Sequence, residues 1–524
     1  MKLKKWIALL IAGMMAVSAL AACDMAGTAA PQAAGQAEAP AAEAPAAAPE
    51  EAPAAEAEPA AAEDGEVTTL KLLAISLGWG EKGAHVIEKL NEITRNAIGV
   101  DVDWEWAEWG DYGQRVSLGM ASNEHFDLIN VLLSPATFAY MYSQNQLMDA
   151  TEYLEEYAPD LWTLLGEYMK TMSTNGKYYG VPTFYNYASH GYILMRKDIL
   201  EDLGLIERFD AIDNWTDMTQ LFTDINSETG LTLADTVSYC TIYGSEIIAE
   251  AEGYDPLKDS YNLIYTDTEG NVSCKLDNPD YIKQQERVRD WYNAGLVNHD
   301  LPLDAGTTPD QIVHDGTAFG FIHHSEIGVE VAKEQSTGYP IYAKTTSDIP
   351  ITARDGGWVF PITCAEPEAA AKWLNYVYMD PECQNLLSWG VKDVDYVVTE
   401  EGLAKYPDGK QISDVFHTYD FMWFDCFKAL PWDGTSPDYR DICMNQEMKN
   451  HPISPYFGFN MNTNAYDDIL AGVASAYNQY YRMINYGAYT DEDYEAYRTK
   501  LNAAGFEDLL AGYQEQLDAY MAGE

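Results

Sequence analysis

The chain reads as an α/β protein of two lobes joined by a multi-strand hinge, with extra helices at its C-terminal end. Three features predict this. Strand-like and helix-like segments alternate from Thr68 onward. Two extended stretches, residues 175–200 and 350–361, have the pattern of crossings between lobes. The last segment has a helical apolar period. At 524 residues the chain exceeds what one compact core holds, so two or more domains are expected.

Folding starts near Glu66. Residues 68–75 (TTLKLLAI) form a strand, Gly78-Trp79-Gly80 a loop, and 81–97 a helix whose Val86, Leu90, Ile93 and Ala97 share one face. Gly99 stops that helix. Val100, Val102, Trp104 and Trp106 then alternate with acids, the signature of a half-buried strand. Asp111 is placed to cap the next helix, and 126–133 (FDLINVLL) is an apolar strand. This order implies a mostly parallel sheet. Asn175-Gly176 is a turn, because both residues tolerate positive φ. Two strand-like runs follow, separated by the aromatic, hydroxyl-rich patch 184–189. Helices are expected at 215–225 and 280–295, a hairpin about Glu269-Gly270-Asn271, and a strand at 318–322 ending in His323-His324. A helix is expected over 366–389, and the terminal helix has Phe506, Leu509, Leu510, Tyr513, Leu517 and Tyr520 in period.

Acidic residues outnumber basic ones 83 to 31, for a formal net charge of −52. Nucleic-acid binders carry basic patches, so the balance argues against such a partner. At the N-terminus, Lys2, Lys4 and Lys5 precede an apolar run, 6–20, too short to span a bilayer comfortably. It ends in Leu20-Ala21-Ala22-Cys23, which resembles a bacterial lipobox. Residues 1–22 are then a lipoprotein signal peptide, and Cys23 carries the lipid. Residues 23–65 are an Ala/Pro/Glu tether without the apolar content to fold, able to reach on the order of 100 Å if stretched. The remaining cysteines, Cys240, Cys274, Cys364, Cys383, Cys426 and Cys443, show no CxxC spacing, so neither a redox motif nor a zinc site is supported and their pairing is open.

Taken in order, several pieces resemble the extracellular solute-binding proteins of bacterial ABC transporters, oligosaccharide branch. They are LAAC, WEWAEWGDYGQRVSLGMASNEHFDLINV, YAPDLW, NGKYYGVP with YILMRKDIL, GGWVFPITCAEPEAAAKWLNYVYMDPECQNLLSWGVKDVDYVV and the tail LNAAGFEDLLAGYQEQLDAY. The last two are similar to the lipoprotein subgroup with a C-terminal domain of unknown function. The resemblance implies a type II periplasmic-binding-protein fold, whose lobes close on a solute, and a partner permease. It carries over no catalytic residue, cofactor or metal. The expected division is 66–183 plus 360–405 for the first lobe, 184–359 for the second with the hinge crossings, and 406–524 for a helical region packed on both. The expected protein is a lipid-anchored monomer on the extracellular face of the cell membrane that captures an oligosaccharide. The alternatives are the same fold binding a peptide-like solute, a secreted glycoside hydrolase, and a surface adhesion module.

A sugar site needs aromatic platforms and fixed polar groups in a cleft beyond the C-terminal ends of the strands. The loop after the first strand offers Trp79, Glu81 and Lys82, an acidic-then-basic pair similar to that of maltose-type binders. The loop after Leu133 offers Ser134, and the hinge offers Tyr185, Asn186 and Tyr187. His323 ends a second-lobe strand, with His324 expected on the opposite side. Without acidic partners at ligand spacing, these histidines do not predict a metal. Trp358 in the return crossing and Trp432 in the loop LPWDG complete the set; Trp104, Trp106, Trp373 and Trp389 are expected in the core.

Overall fold

The chain is described here by a computed structural model covering residues 67–523, apart from 133–135, 237–254, 258, 260, 268, 304–307 and 353–355. The signal peptide, Cys23, the tether, Ser134 and Cys240 lie outside the described residues, as does the side chain of Glu81.

The first sheet is built on β1 (Thr68–Ser76), whose residues from Leu72 to Ser76 are all buried. A strand covered on both faces reads as a continuous apolar run. β2 (Val100–Glu108) and β3 (Leu128–Val131) flank it in parallel. The helix Gly80–Ile98 joins β1 to β2 and ends at Gly99, whose φ of 70° is the left-handed conformation that glycine takes freely. Asp111 does stand at the start of the helix Tyr112–Ala121, but its side chain makes no capping bond.

Asn175 and Gly176 both have positive φ, 51° and 71°, and turn a two-residue hairpin between Ser173–Thr174 and Lys177–Tyr178. The chain then enters β4 (Gly180–Pro182) in the first sheet and leaves it for β5 (Ser189–Arg196) in the second. The second sheet runs β8-β5-β7-β6, with β6 at Thr232–Leu233, β7 at Ala318–Ser325 and β8 at Ile341–Ile349. Its core includes Leu194, Phe222, Trp291 and Phe319. From β8 the chain returns to the first sheet as β9 (Gly357–Val359), which lies antiparallel between β3 and β4. Both expected crossings therefore exist. At Gly357 a Cβ would stand 2.5 Å from the Val181 carbonyl oxygen, so only glycine permits this approach.

The structure departs from expectation in three places. The first sheet, β2-β1-β3-β9-β4, is mostly parallel as expected, but β9 runs against the other four strands, being antiparallel to both β3 and β4. β9 thus sits in the first lobe although its residues fall within 184–359. The segment after 405 is not one helical body either. Phe416, Met422, Trp423, Phe424 and Met448 complete the first-lobe core. A separate third core unites the hairpin strands Ile264–Thr266 and Val272–Cys274 with the helices Asp467–Asn485, Asp491–Ala503 and Phe506–Ala522. The helix expected over 366–389 is two helices, broken where Asp380 caps Pro381–Trp389. Cys274, Cys364, Cys383, Cys426 and Cys443 are free thiols.

Candidate functional site

In open α/β sheets the ligand crevice lies beyond the C-terminal ends of the strands. Here the loop 416–426 crosses those ends. The Asn130 amide of β3 donates to Met422 O at 3.2 Å, and Thr183 Oγ1, just past β4, donates to Trp423 O at 3.0 Å. Phe184 N donates to Phe424 O at 2.7 Å and Cys426 N to Phe184 O at 2.9 Å, so the loop continues the sheet edge into the hinge. Past β1, Trp79 meets the same loop, with ring centroids 5.4 Å from Trp423 and 6.4 Å from Tyr419.

A row of rings results: Trp79 to Tyr419 at 6.4 Å, Tyr419 to His417 at 6.1 Å, and His417 to Trp432 at 4.8 Å. Phe421 stacks on Tyr419 at 5.8 Å and 8°. Tyr419, His417 and Trp432 are half-buried, so the row is part wall and part surface. Burial pushes the His417 imidazole down to about 4, which keeps that ring neutral near pH 7.

Beside the row the lobes touch through polar groups. Glu326, just past β7, accepts from the Tyr439 hydroxyl at 3.2 Å, and its backbone carbonyl accepts from Tyr192. Asn186 of the hinge faces the same carboxyl without closing a well-formed bond through Nδ2; its Oδ1 accepts from Ala188 N instead. Arg440 forks onto Asp420, with Nη2 donating to Oδ1 at 2.9 Å and Nη1 to Oδ2. Burial, then the nearby Asp420 charge, push the half-buried Glu326 carboxyl up to about 7.

That shift has a definite sign. Below about pH 4.5 Glu326 is protonated whether the chain is folded or not, and it costs nothing. Between about pH 4.5 and 7 the unfolded chain gives up this proton while the folded chain keeps it, so stability falls across that window by about 3 kcal/mol and stays lower above it. Glu326→Gln should therefore stabilise the protein at pH 8 by up to that amount and leave it unchanged at pH 4. Urea melts at the two pH values test this; equal gains at both would refute it.

Of the residues predicted from sequence, Trp79 and Trp432 stand at the two ends of the aromatic row, and Asn186 reaches the polar contact. Tyr185 is half-buried against Tyr187, and Lys82 is half-buried on the first helix. Four expectations need correction. Trp79 is buried in the first-lobe core, packed on Phe416 and Trp423, so it backs the row rather than offering a ligand an open face. Trp358 is fully buried, stacked on Phe424 at 5.4 Å and 12° and edge-on to Trp104, so it offers a ligand no face. Tyr187 is likewise fully buried, its hydroxyl bonded to Thr183 O. His323 lies beside Phe321, ring centroids 5.9 Å apart, the ring over which Lys333 of the helix Val329–Thr337 lies. His323 and His324 do not point to opposite sides; their rings stack at 5.4 Å. Sequence reasoning missed Tyr419, His417, Asp420, Glu326, Tyr439 and Arg440. The available signal was the aromatic density of FHTYDFMWFDCF.

Two α/β lobes, two strand crossings and a crevice over the strand ends define a hinged binding protein. The chain belongs to the bacterial extracellular solute-binding proteins, whose family pattern matches residues 84–381. A second family, described as a domain of unknown function (DUF3502), matches residues 455–522, the helical part of the third core. A carbohydrate ABC transporter substrate-binding protein of Streptococcus pneumoniae serotype 4 is 22% identical over 464 residues, spanning 84% of this chain and 89% of that protein. Among solved structures, the N-glycan transport solute binding protein NgtS of Streptococcus pneumoniae superposes with a TM-score of 0.72. It is 18% identical, over 87% of this chain and 99% of that one. An HMO-binding solute-binding protein of Bifidobacterium longum infantis gives a TM-score of 0.62 at 13% identity, over 87% and 100%. The fold is thus of the type II periplasmic-binding-protein class.

Proposed function

We propose that the protein captures an oligosaccharide between its lobes and delivers it to an ABC importer. The observation that carries this is the half-buried aromatic row Tyr419–His417–Trp432, backed by the buried Trp79 at the strand ends. Sugar rings present apolar C–H faces to such rings and hydroxyls to fixed acids and amides. Asp420, Glu326 and Asn186 supply those polar groups at one side. The relatives named above, binders of carbohydrate, N-glycan and HMO by name, point the same way. Under Tyr419 and Asp420 the space is about 10 Å³, room for roughly one water. That space is lined by the first lobe alone and is not the sugar cleft; the proposed cleft lies between the lobes, and the crossings at β4–β5 and β8–β9 are where they would part. No acid pair is assigned a catalytic role, since Asp420 is committed to Arg440.

The finer placement rests on the sequence. The LAAC motif supports lipid attachment at Cys23, the tether holds the body away from the membrane, and two permease subunits are the docking partners of a monomer. Mass spectrometry of the membrane-extracted protein should find the N-terminal fragment beginning at an acylated Cys23; an unmodified Cys23 refutes the anchor.

The folded body, incubated with a panel of oligosaccharides, should melt higher with at least one of them and release no new reducing ends. Turnover would establish a hydrolase, and a response to peptides alone would establish a different solute. With the active sugar, Tyr419→Ala should weaken affinity about tenfold or more, the loss of one aromatic contact of roughly 1.5 kcal/mol. Unchanged affinity would remove the row from the site.

A further inference from the structure

We propose that the hinge carries a binding site for a zinc-like divalent transition metal, formed by His190, His451 and Asp348 with Glu447 behind His190. One ligand atom from each of the first three lies within 4.8 Å of the others. They come from parts of the chain far apart in sequence. His190 and Asp348 are register partners on β5 and β8, at the ends of the strands that lead into the two crossings. His451 belongs to the C-terminal segment laid against them, its backbone neighbour Pro452 accepting from Ile351 N.

The second nitrogens are already committed in the way metal-binding histidines require. His451 Nε2 faces the Ile349 carbonyl at 2.8 Å. A carbonyl only accepts, so that nitrogen carries the proton and Nδ1 keeps its lone pair. His190 Nε2 faces the Glu447 carboxylate at 2.9 Å, while Nδ1 is directed to Asp348 at 2.7 Å. A carboxylate or carbonyl on the far nitrogen is the usual outer support of a zinc-bound imidazole. His451 is 7% exposed and the His190 side chain 12%, whereas Asp348 is 54% exposed and provides the entry side. Two imidazoles and a carboxylate suit zinc better than calcium or magnesium, which prefer oxygen. A bound ion would tie three chain segments together where the lobes hinge.

The test uses the whole protein, stripped with chelator and titrated with Zn²⁺ by calorimetry and thermal melting. One Zn²⁺ per chain should bind and raise the melting temperature. Asp348→Asn, at an exposed position that leaves the fold intact, and His451→Gln should each abolish that site. Glu447→Gln should weaken it about 10–100-fold, and His323→Ala should leave it unchanged. Absence of a one-to-one site, or a site that persists in both Asp348→Asn and His451→Gln, would overturn the proposal. So would a melting response that follows pH alone, as expected if His190 merely bridges two carboxylates. Sugar binding is read separately, so failure here leaves the solute-binding reading standing.

Discussion

Replacing Trp358 by alanine should destabilise the protein by about 3–5 kcal/mol, the range for emptying a large buried aromatic position. The indole is fully enclosed, parallel to Phe424 and edge-on to Trp104 within a cluster that also holds Trp373 and Trp423. Its ring partners sit on β2 and in the loop 416–426, and both pack in turn on Trp373 of the helix Pro367–Met379, so the cavity cannot collapse by moving one side chain. Trp358→Phe should cost much less, because it keeps a ring and removes an indole N–H that has no partner. Urea unfolding checks both. Since the ring faces no crevice, sugar affinity per folded molecule should hold in Trp358→Phe. A large loss of affinity at near-native stability would restore Trp358 as a ligand platform.

Asp420→Ala should be of similar size, about 3–5 kcal/mol, for an electrostatic reason. Burial alone would push the Arg440 guanidinium down, but the Asp420 charge outweighs it and holds the group above its ordinary value. Removing the carboxylate leaves a cation whose side chain is 10% exposed with its principal partner gone. The double variant Asp420→Leu/Arg440→Met removes both charges and should recover much of the loss. A double-mutant cycle reads the coupling directly; additive losses would mean that the pair does not act as a unit. Because Asp420 lies beside Tyr419, sugar affinity should fall in Asp420→Ala beyond what instability explains.

The aromatic row shows why site residues were only partly readable. Trp432 drew attention because it sits in a proline-glycine loop, and the structure leaves its ring half-buried. Trp79 drew attention because it stands between glycines after a strand, but Phe416 and Trp423 from the distant loop close over it. Trp358 read the same way, but tertiary packing decided against it. A three-residue strand cannot show which neighbours will close over its faces, and here Phe424, 66 positions later in the chain, does so. Tyr187 failed for the same reason, since in the irregular segment between β4 and β5 a shift of one residue decides between crevice and core. Tyr419, Asp420 and Glu326 were missed because their neighbours come from three distant parts of the chain.

What the sequence by itself determined is everything carried by local periodicity and turn chemistry: the strand-helix alternation, the Asn175-Gly176 turn, the two crossings and the terminal helix. Those patterns arise from backbone geometry and one-sided burial, which act over a few residues. Only the tertiary structure decided that residues 416–426 lie over the first sheet, that residues 255–276 pair with the last helices, and that His190, Asp348 and His451 meet at the hinge. Such placements depend on which buried faces find each other across hundreds of residues, and no local pattern encodes that choice.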